Sequence, residues 1–86
     1  MLYIKITGSS LPSREFQDWE LRLINEYNDL LDKLIKLDSF LFGPTELGLI
    51  NKKDIDLLRL QYHYMHKYIQ ILSKRLDRIN IKHKVE

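Results

Sequence analysis

The sequence predicts an all-α protein, an antiparallel two-helix hairpin with a short N-terminal extended arm, assembling as a homo-oligomer. Three observations predict the hairpin: two long segments with apolar residues at steps of three and four, a short connection between them, and an alternating N-terminal stretch. The 86 residues are expected to form a single domain, 1–86. Its expected parts are an arm over 1–12, a first helix over 13–42, a second helix over 51–80 and a tail over 81–86, which is expected to be frayed or to dock on a partner.

The arm alternates apolar and polar residues in the run LYIKIT, a pattern typical of a short strand or an extended segment. The turn-forming cluster GSSLPS follows it. Ser13 is the expected N-cap of the first helix, because its hydroxyl can accept a free backbone N–H. With Arg14 beside it, the same helix entry could hold a phosphate, and ordinary capping is the alternative.

One apolar stripe runs along the first helix and includes Trp19, which favours a place for it in the core, with stacking on a ligand as the alternative. Gly43 and Pro44 are expected to end this helix. The connection that follows is short, so the second helix must return antiparallel to the first. Asn51 is its expected N-cap.

The second helix carries more apolar surface than one partner helix can cover. Its inner stripe, expected to face the first helix, holds Ile55, Leu58, Tyr62, Met65, Ile69, Leu72, Leu76 and Ile79. Its outer stripe holds Leu57, Leu60, Tyr64, Tyr68 and Ile71. Together they span roughly 200° of the helix, about twice what one neighbour requires. A soluble monomer seldom leaves such a patch in water, so the outer stripe is expected to pack against another copy.

Polar residues within this arc are candidates for a binding site. Gln61 and Arg75 either satisfy their hydrogen bonds at a subunit seam or line a cavity between subunits that holds a polar ligand. Arg22 and Lys33 of the first helix could add charge to such a pocket. Lys33 and Lys36 could also supply phosphate contacts, and a solvated helix face explains both equally well.

Composition and motifs argue against several classes of protein. The chain has no cysteine, which excludes disulfides and thiolate metal sites. No apolar run approaches the roughly 20 residues of a membrane span. Its formal net charge of +2 divides into an acidic first half and a basic second half, but basic and acidic residues are interleaved, which disfavours nucleic acid as a partner.

Catalytic motifs are missing from the sequence: it has no nucleophile elbow, phosphate-binding loop or dinucleotide fingerprint. His63 and His66 lie one turn apart without a nearby carboxylate, which favours solvent-facing histidines over a metal site. We therefore expect no enzyme activity, no cofactor and no metal.

A scattered pattern over residues 15–79 resembles a group of small phage-encoded helical-hairpin proteins. It comprises an Arg, a Glu-Tyr pair and a Lys-x-x-Lys-Leu run ending in Phe, then a second helix of the form LL-x-x-Q-x-x-x-M-x-x-Y-x-x-x-L-x-x-R. Here those positions are Arg22, Glu26, Tyr27, Lys33, Lys36, Leu37, Phe40, Leu57, Leu58, Gln61, Met65, Tyr68, Leu72 and Arg75.

That group is similar, in length and hairpin layout, to the phage sponges that counter bacterial CBASS and Thoeris immunity. The resemblance implies a hexamer in the host cytoplasm that sequesters a cyclic nucleotide between subunits without cleaving it. Chemistry rather than alignment selects the candidate ligand-binding residues: Ser13, Arg14, Trp19, Arg22, Lys33, Gln61 and Arg75. The alternatives are a helical protein–protein interaction module that inhibits a host protein, and a structural assembly protein.

Overall fold

In the computed structural model, residues 3–43 and 50–84 are described, and they form two long helices with short extended ends. After a 3-10 turn at Gly8–Ser10, helix α1 spans Asp18–Phe42 and helix α2 spans Lys52–Arg78. The predicted all-helical architecture is confirmed for these residues. Expectations that fall on residues 1–2, 44–49 and 85–86, including the stop at Pro44, lie outside the described residues.

The two helices are antiparallel. The Tyr62 hydroxyl of α2 donates to Asp38 near the end of α1, at 2.7 Å. Further along α2, the Tyr68 hydroxyl donates to Glu26, nearer the start of α1. As the residue number increases along α2, the residue number of its contact in α1 therefore decreases, as the short connection predicts.

Helix α1 begins later than predicted, and Ser13 is not its N-cap. Ser13 lies exposed in a bend, and Gln17 is the N-cap. The Glu20 carboxylate accepts a hydrogen bond from the Gln17 backbone N–H at 2.9 Å and another from the Arg14 guanidinium at 2.8 Å. These two bonds fix the start of the helix at Asp18, because they hold the preceding residues in a non-helical path.

The core lies between α1 and α2. The inner stripe of α2 is buried or half-buried along its whole length, as predicted. The most buried apolar residues of the pair are Leu23, Tyr27, Leu31, Leu34, Ile69, Leu72 and Leu76. Each such side chain contributes about 1.5–3 kcal/mol on burial. The prediction that Trp19 belongs to the core is wrong, since 47% of its surface is exposed beside the last turn of α2.

The arm and the tail lie side by side on the helix pair. The Ile4 N–H donates to the His83 carbonyl at 2.8 Å, next to an antiparallel bridge between Tyr3 and Lys84. The Asn28 side chain then holds Ile6 from both sides: its oxygen accepts the Ile6 N–H at 2.9 Å and its amide donates to the Ile6 carbonyl at 2.8 Å. The tail therefore docks on its own chain, which corrects the prediction of a frayed or partner-bound tail.

The tail turns back because α2 ends in a Schellman motif. Asn80 adopts a left-handed conformation with φ 58°, which asparagine tolerates better than most residues. The Ile81 N–H reaches back to the Leu76 carbonyl at 3.1 Å, and the Asn80 N–H to the Asp77 carbonyl at 3.2 Å. This turn places Ile81 over the helix pair, where only 2% of its surface remains exposed.

His83 anchors the tail in a buried cluster. Its Nδ1 lies 2.8 Å from the Ile81 carbonyl and must donate, since a carbonyl only accepts. Its Nε2 lies 2.6 Å from the Ser73 hydroxyl. The Tyr27 ring packs edge-on against the imidazole, and its hydroxyl donates to the carbonyls of Ile4 and His83. Burial raises the pKa of the Tyr27 phenol, so this hydroxyl remains a donor over the whole working pH range.

Candidate functional site

The helix pair has one covered face and one open face. Asn28 of α1 and Ser73 of α2 lie on the covered face, where they contact the arm and the tail. At 100° per residue, Arg22 and Lys33 point away from Asn28, with the α2-facing side of α1 between them. A groove between the helices runs along this open face, and no described arm or tail residue lines it.

One half of the groove is a depression of 570 Å³ with an apolar floor and two lysines. It is lined by Leu30, Lys33, Lys36, Leu37, Phe40, Gln61 and Met65. The Gln61 amide makes only a weak contact with the Met65 sulfur, at 3.6 Å. This half can therefore offer two ammonium groups and a side-chain amide to a ligand whose remaining surface is apolar.

The other half is a more polar depression of 510 Å³. It is lined by Arg22, Asn25, Glu26, Asp29, Leu30, Lys33 and Tyr68. Leu30 and Lys33 line both depressions, so the two form one continuous groove with Lys33 at its centre. The hydrogen bond that Tyr68 donates to Glu26 crosses this half and raises the pKa of the tyrosine.

A third recess, of 320 Å³, lies at the end of α2. Trp19, Arg75, Arg78 and Ile79 line it. The exposed carbonyls at a helix C-terminus favour nearby cations, which accounts for the two arginines. An exposed indole beside two guanidinium groups can nevertheless hold a planar anion by stacking and hydrogen bonding.

Five of the seven predicted site residues lie along these recesses. Arg22, Lys33 and Gln61 line the groove, and Trp19 and Arg75 line the third recess. The structure does not bring Ser13 and Arg14 to the open face. Ser13 lies outside the recesses described above, and the Arg14 guanidinium is held by Glu20, by the Ile79 carbonyl at 3.1 Å and over the Phe16 ring at 4.3 Å.

Sequence reasoning considered Lys36 as a phosphate contact without selecting it as a site residue, and it missed Phe40 and Tyr68 of the groove. All three belong to the pattern on which the phage-protein resemblance rests. That pattern was the available signal, since most of its positions line the groove and most of the remainder pack between the helices. Arg78 of the third recess carried no comparable signal.

Some cations of the described residues are held in ion pairs, whereas those of the groove, like several others on the helix surfaces, are not. Lys5 pairs with Asp32 at 2.9 Å, and Lys84 pairs with Asp77 at 2.8 Å. Within residues 3–43 and 50–84, Arg22, Lys33 and Lys36 have no carboxylate within 4.0 Å. An anion can therefore enter the groove without displacing an internal ion-pair partner.

The hydrogen bond between Ser73 and His83 resembles a nucleophile and its base, but it lies in the wrong place for catalysis. The two residues are only 2% and 1% exposed, which leaves no room for a substrate at the hydroxyl.

His66 packs against the Tyr62 ring at 5.0 Å. Among the residues that the structure describes, no three His, Asp or Glu side chains are grouped to hold a metal ion. Neither described helix is long and apolar enough to cross a bilayer.

A family model described as Sequestin matches residues 17–78. The chain belongs to the Sequestin family. No curated protein and no solved structure matches this Sequestin chain. The matched segment runs from the N-cap of α1 to the last residue of α2, so it contains the groove and almost all of the third recess. It leaves out Ser13, Arg14 and the tail. The family name suggests a sequestering function, in which a molecule is bound and withheld.

Proposed function

We propose that this Sequestin is a phage anti-defence protein that binds a cyclic nucleotide immune signal and holds it without cleaving it, in the host cytoplasm. The observation that carries the proposal is Lys33, a cation at the centre of the groove, within the family-matched segment, that has no ion-pair partner among the described residues. Binding is stoichiometric: each complex lowers the concentration of free signal, so the host effector stays inactive.

The charges of the groove indicate where phosphates would bind. The half that contains Glu26 and Asp29 repels a phosphate, whereas no carboxylate of the described residues lines the half that contains Lys33 and Lys36. Phosphate oxygens are therefore expected on these two lysines. A base would lie against Phe40, with the Gln61 amide available for its polar edge. Each half is within the size range of small-molecule pockets, roughly 300–1,000 Å³.

Holding rather than cleaving is the chemistry that this half of the groove supports. Beside the two lysines, the described residues that line it are leucines, a phenylalanine, a glutamine and a methionine, none of which is an acid or base near neutral pH. Sequestration at low signal concentration requires nanomolar affinity, about −12 kcal/mol. An affinity of that order calls for a more enclosed pocket than the open groove of one chain provides.

Calorimetric titration with a panel of cyclic di- and trinucleotides tests the proposal. We expect wild-type protein to bind at least one of them and to release it intact on denaturation, as judged by mass spectrometry. Lys33→Ala should weaken binding by about tenfold or more, the loss of one charge-assisted contact. Lys82→Ala, which removes the same charge from the exposed tail, is the matched control and should bind like wild type. Failure to bind the whole panel, or recovery of a cleaved ligand, contradicts the proposal.

The exposed outer stripe favours a second candidate function, a protein–protein interaction module that inhibits a host protein. Leu57 and Tyr64 each leave 63% of their surface exposed, which suits a helix-in-groove contact. In that case substitution of Tyr64 would abolish anti-defence activity in bacteria. Lys33→Ala would leave the activity unchanged.

A further inference from the structure

The outer stripe of α2 has a symmetric spacing. Its members, Leu57, Leu60, Tyr64, Tyr68 and Ile71, follow one another at steps of three, four, four and three residues. The pattern is the same in both chain directions, with Tyr64 at its centre. Two such helices laid antiparallel would place Leu57 of one copy opposite Ile71 of the other, and Tyr64 opposite Tyr64. Self-complementarity of this kind is what a two-fold interface between identical chains requires.

The stripe is also exposed along its whole length. Its members leave between 44% and 63% of their surface uncovered, and Tyr68 lines the groove as well. Five large side chains in one row make an apolar patch of several hundred Å². With the stems of neighbouring charged residues, it approaches the roughly 800 Å² per partner of a standard interface.

One pair of opposite charges flanks the stripe in the same arrangement, whereas Lys53 and Arg75, eleven residues on either side of Tyr64, would face each other as like charges at its ends. Asp56 lies near the start of the stripe and Lys74 just beyond its end. Both lie on the same side of α2, since the residues between them make roughly five complete turns at 3.6 residues per turn. An antiparallel two-fold pairing would bring Asp56 of each copy close to Lys74 of the other. A parallel pairing would instead leave Asp56 of each copy about 27 Å along the helix axes from Lys74 of the other.

We propose that the outer stripe is the homo-oligomer interface, and that its occupant is α2 of a second copy, antiparallel, with the two-fold axis at Tyr64. The pairing does not depend on what the groove binds. Because Tyr68 belongs to both surfaces, the second copy adds a wall beside the groove and encloses it further.

Cross-linking through single introduced cysteines tests the geometry. Because the sequence has no native cysteine, only the introduced thiols react. In an antiparallel pair centred on Tyr64, the two copies of position 64 lie about 10 Å apart, the usual separation of packed helices. The two copies of position 57 are separated by about 21 Å along the helix axes. A bismaleimide spanning about 10 Å should therefore dimerise Tyr64→Cys strongly and Leu57→Cys weakly. A mixture of Leu57→Cys and Ile71→Cys should yield the mixed dimer. Equal cross-linking of 57 and 64 with themselves overturns the arrangement.

Analytical ultracentrifugation tests the interface itself. Tyr64→Arg should raise the dissociation constant by about tenfold or more, since it places two guanidinium groups at the axis. Ile35→Arg is the matched control: Ile35 is 44% exposed on α1, outside the groove lining, and its substitution should leave assembly unchanged. Asp56→Lys or Lys74→Glu alone should weaken assembly, and the two together should restore it. The proposal is overturned if the wild-type protein stays monomeric at concentrations on the order of 100 micromolar, or if the Tyr64→Arg variant assembles normally. Circular dichroism of each variant verifies that it folds.

Discussion

Replacing Tyr27 with phenylalanine removes one hydroxyl that joins both chain ends to α1. That hydroxyl donates to the Ile4 carbonyl at 2.7 Å and also lies 3.0 Å from the His83 carbonyl. The His83 carbonyl keeps a partner in the variant, because it also accepts the Ile4 N–H at 2.8 Å. Only the Ile4 carbonyl loses its hydrogen bond. The free energy of unfolding should therefore fall by about 1–2 kcal/mol, one net hydrogen bond plus part of a desolvation penalty.

Urea denaturation followed by circular dichroism measures this loss, with both proteins at one fixed concentration because assembly would add to stability. For a chain of this size, 1 kcal/mol corresponds to about 4–8 °C in Tm. Hydrogen exchange at the Ile4 amide should also accelerate, since the arm is held less firmly. Tyr3→Phe is the matched control, because the Tyr3 hydroxyl has no hydrogen bond within residues 3–43 and 50–84. A Tyr27→Phe variant within about 0.5 kcal/mol of wild type, with Ile4 still protected, would refute the reasoning.

Three further predictions concern the caps and the groove. Arg14 lowers the pKa of Glu20 from its ordinary value of 4.5, so the carboxylate stabilises the fold above that pH and the contribution is lost as pH falls through the folded-state pKa. The difference in unfolding free energy between wild type and Glu20→Gln should therefore shrink as the pH falls from roughly 6 to 3, and a constant difference would contradict this linkage. Asn80→Ala should cost about 1 kcal/mol and Asn80→Gly almost nothing, because only the former strains the left-handed turn; equal melting temperatures would contradict it. Tyr68→Phe should leave the free energy of unfolding within about 0.5 kcal/mol of wild type, since the hydrogen bond to Glu26 is exposed, as thermal melts can verify.

Much of the fold could be predicted from the sequence because the signals are local and repetitive. The inner stripe of α2 recurs over eight positions, and its period alone fixes which face is buried. Asn51 accepts the Lys53 N–H at 2.8 Å as the expected N-cap. The surplus apolar surface of the outer stripe was visible for the same reason, since all five members are exposed in a single chain.

The candidate site could be predicted only in part. Arg22, Lys33 and Gln61 were identified, because each stands out as a polar residue near an apolar arc. Arg14 looked equally suitable in sequence, yet a carboxylate six residues away and the end of α2 hold its guanidinium. Whether a cation is paired internally depends on contacts between distant segments, which spacing along one helix does not reveal.

The sequence by itself determined the two helices, their buried faces and the cap at Asn51, because each follows from repeats or neighbours within a few turns. Only the tertiary structure decided the start of α1, the exposure of Trp19 and the docking of the tail. The start of α1 depends on Glu20 and Arg14, and the docking of the tail depends on His83, polar residues whose hydrogen-bond partners the helical pattern does not reveal. The sequence does not show which residue a polar side chain will hydrogen-bond, whereas an apolar stripe can be buried against any surface that excludes water.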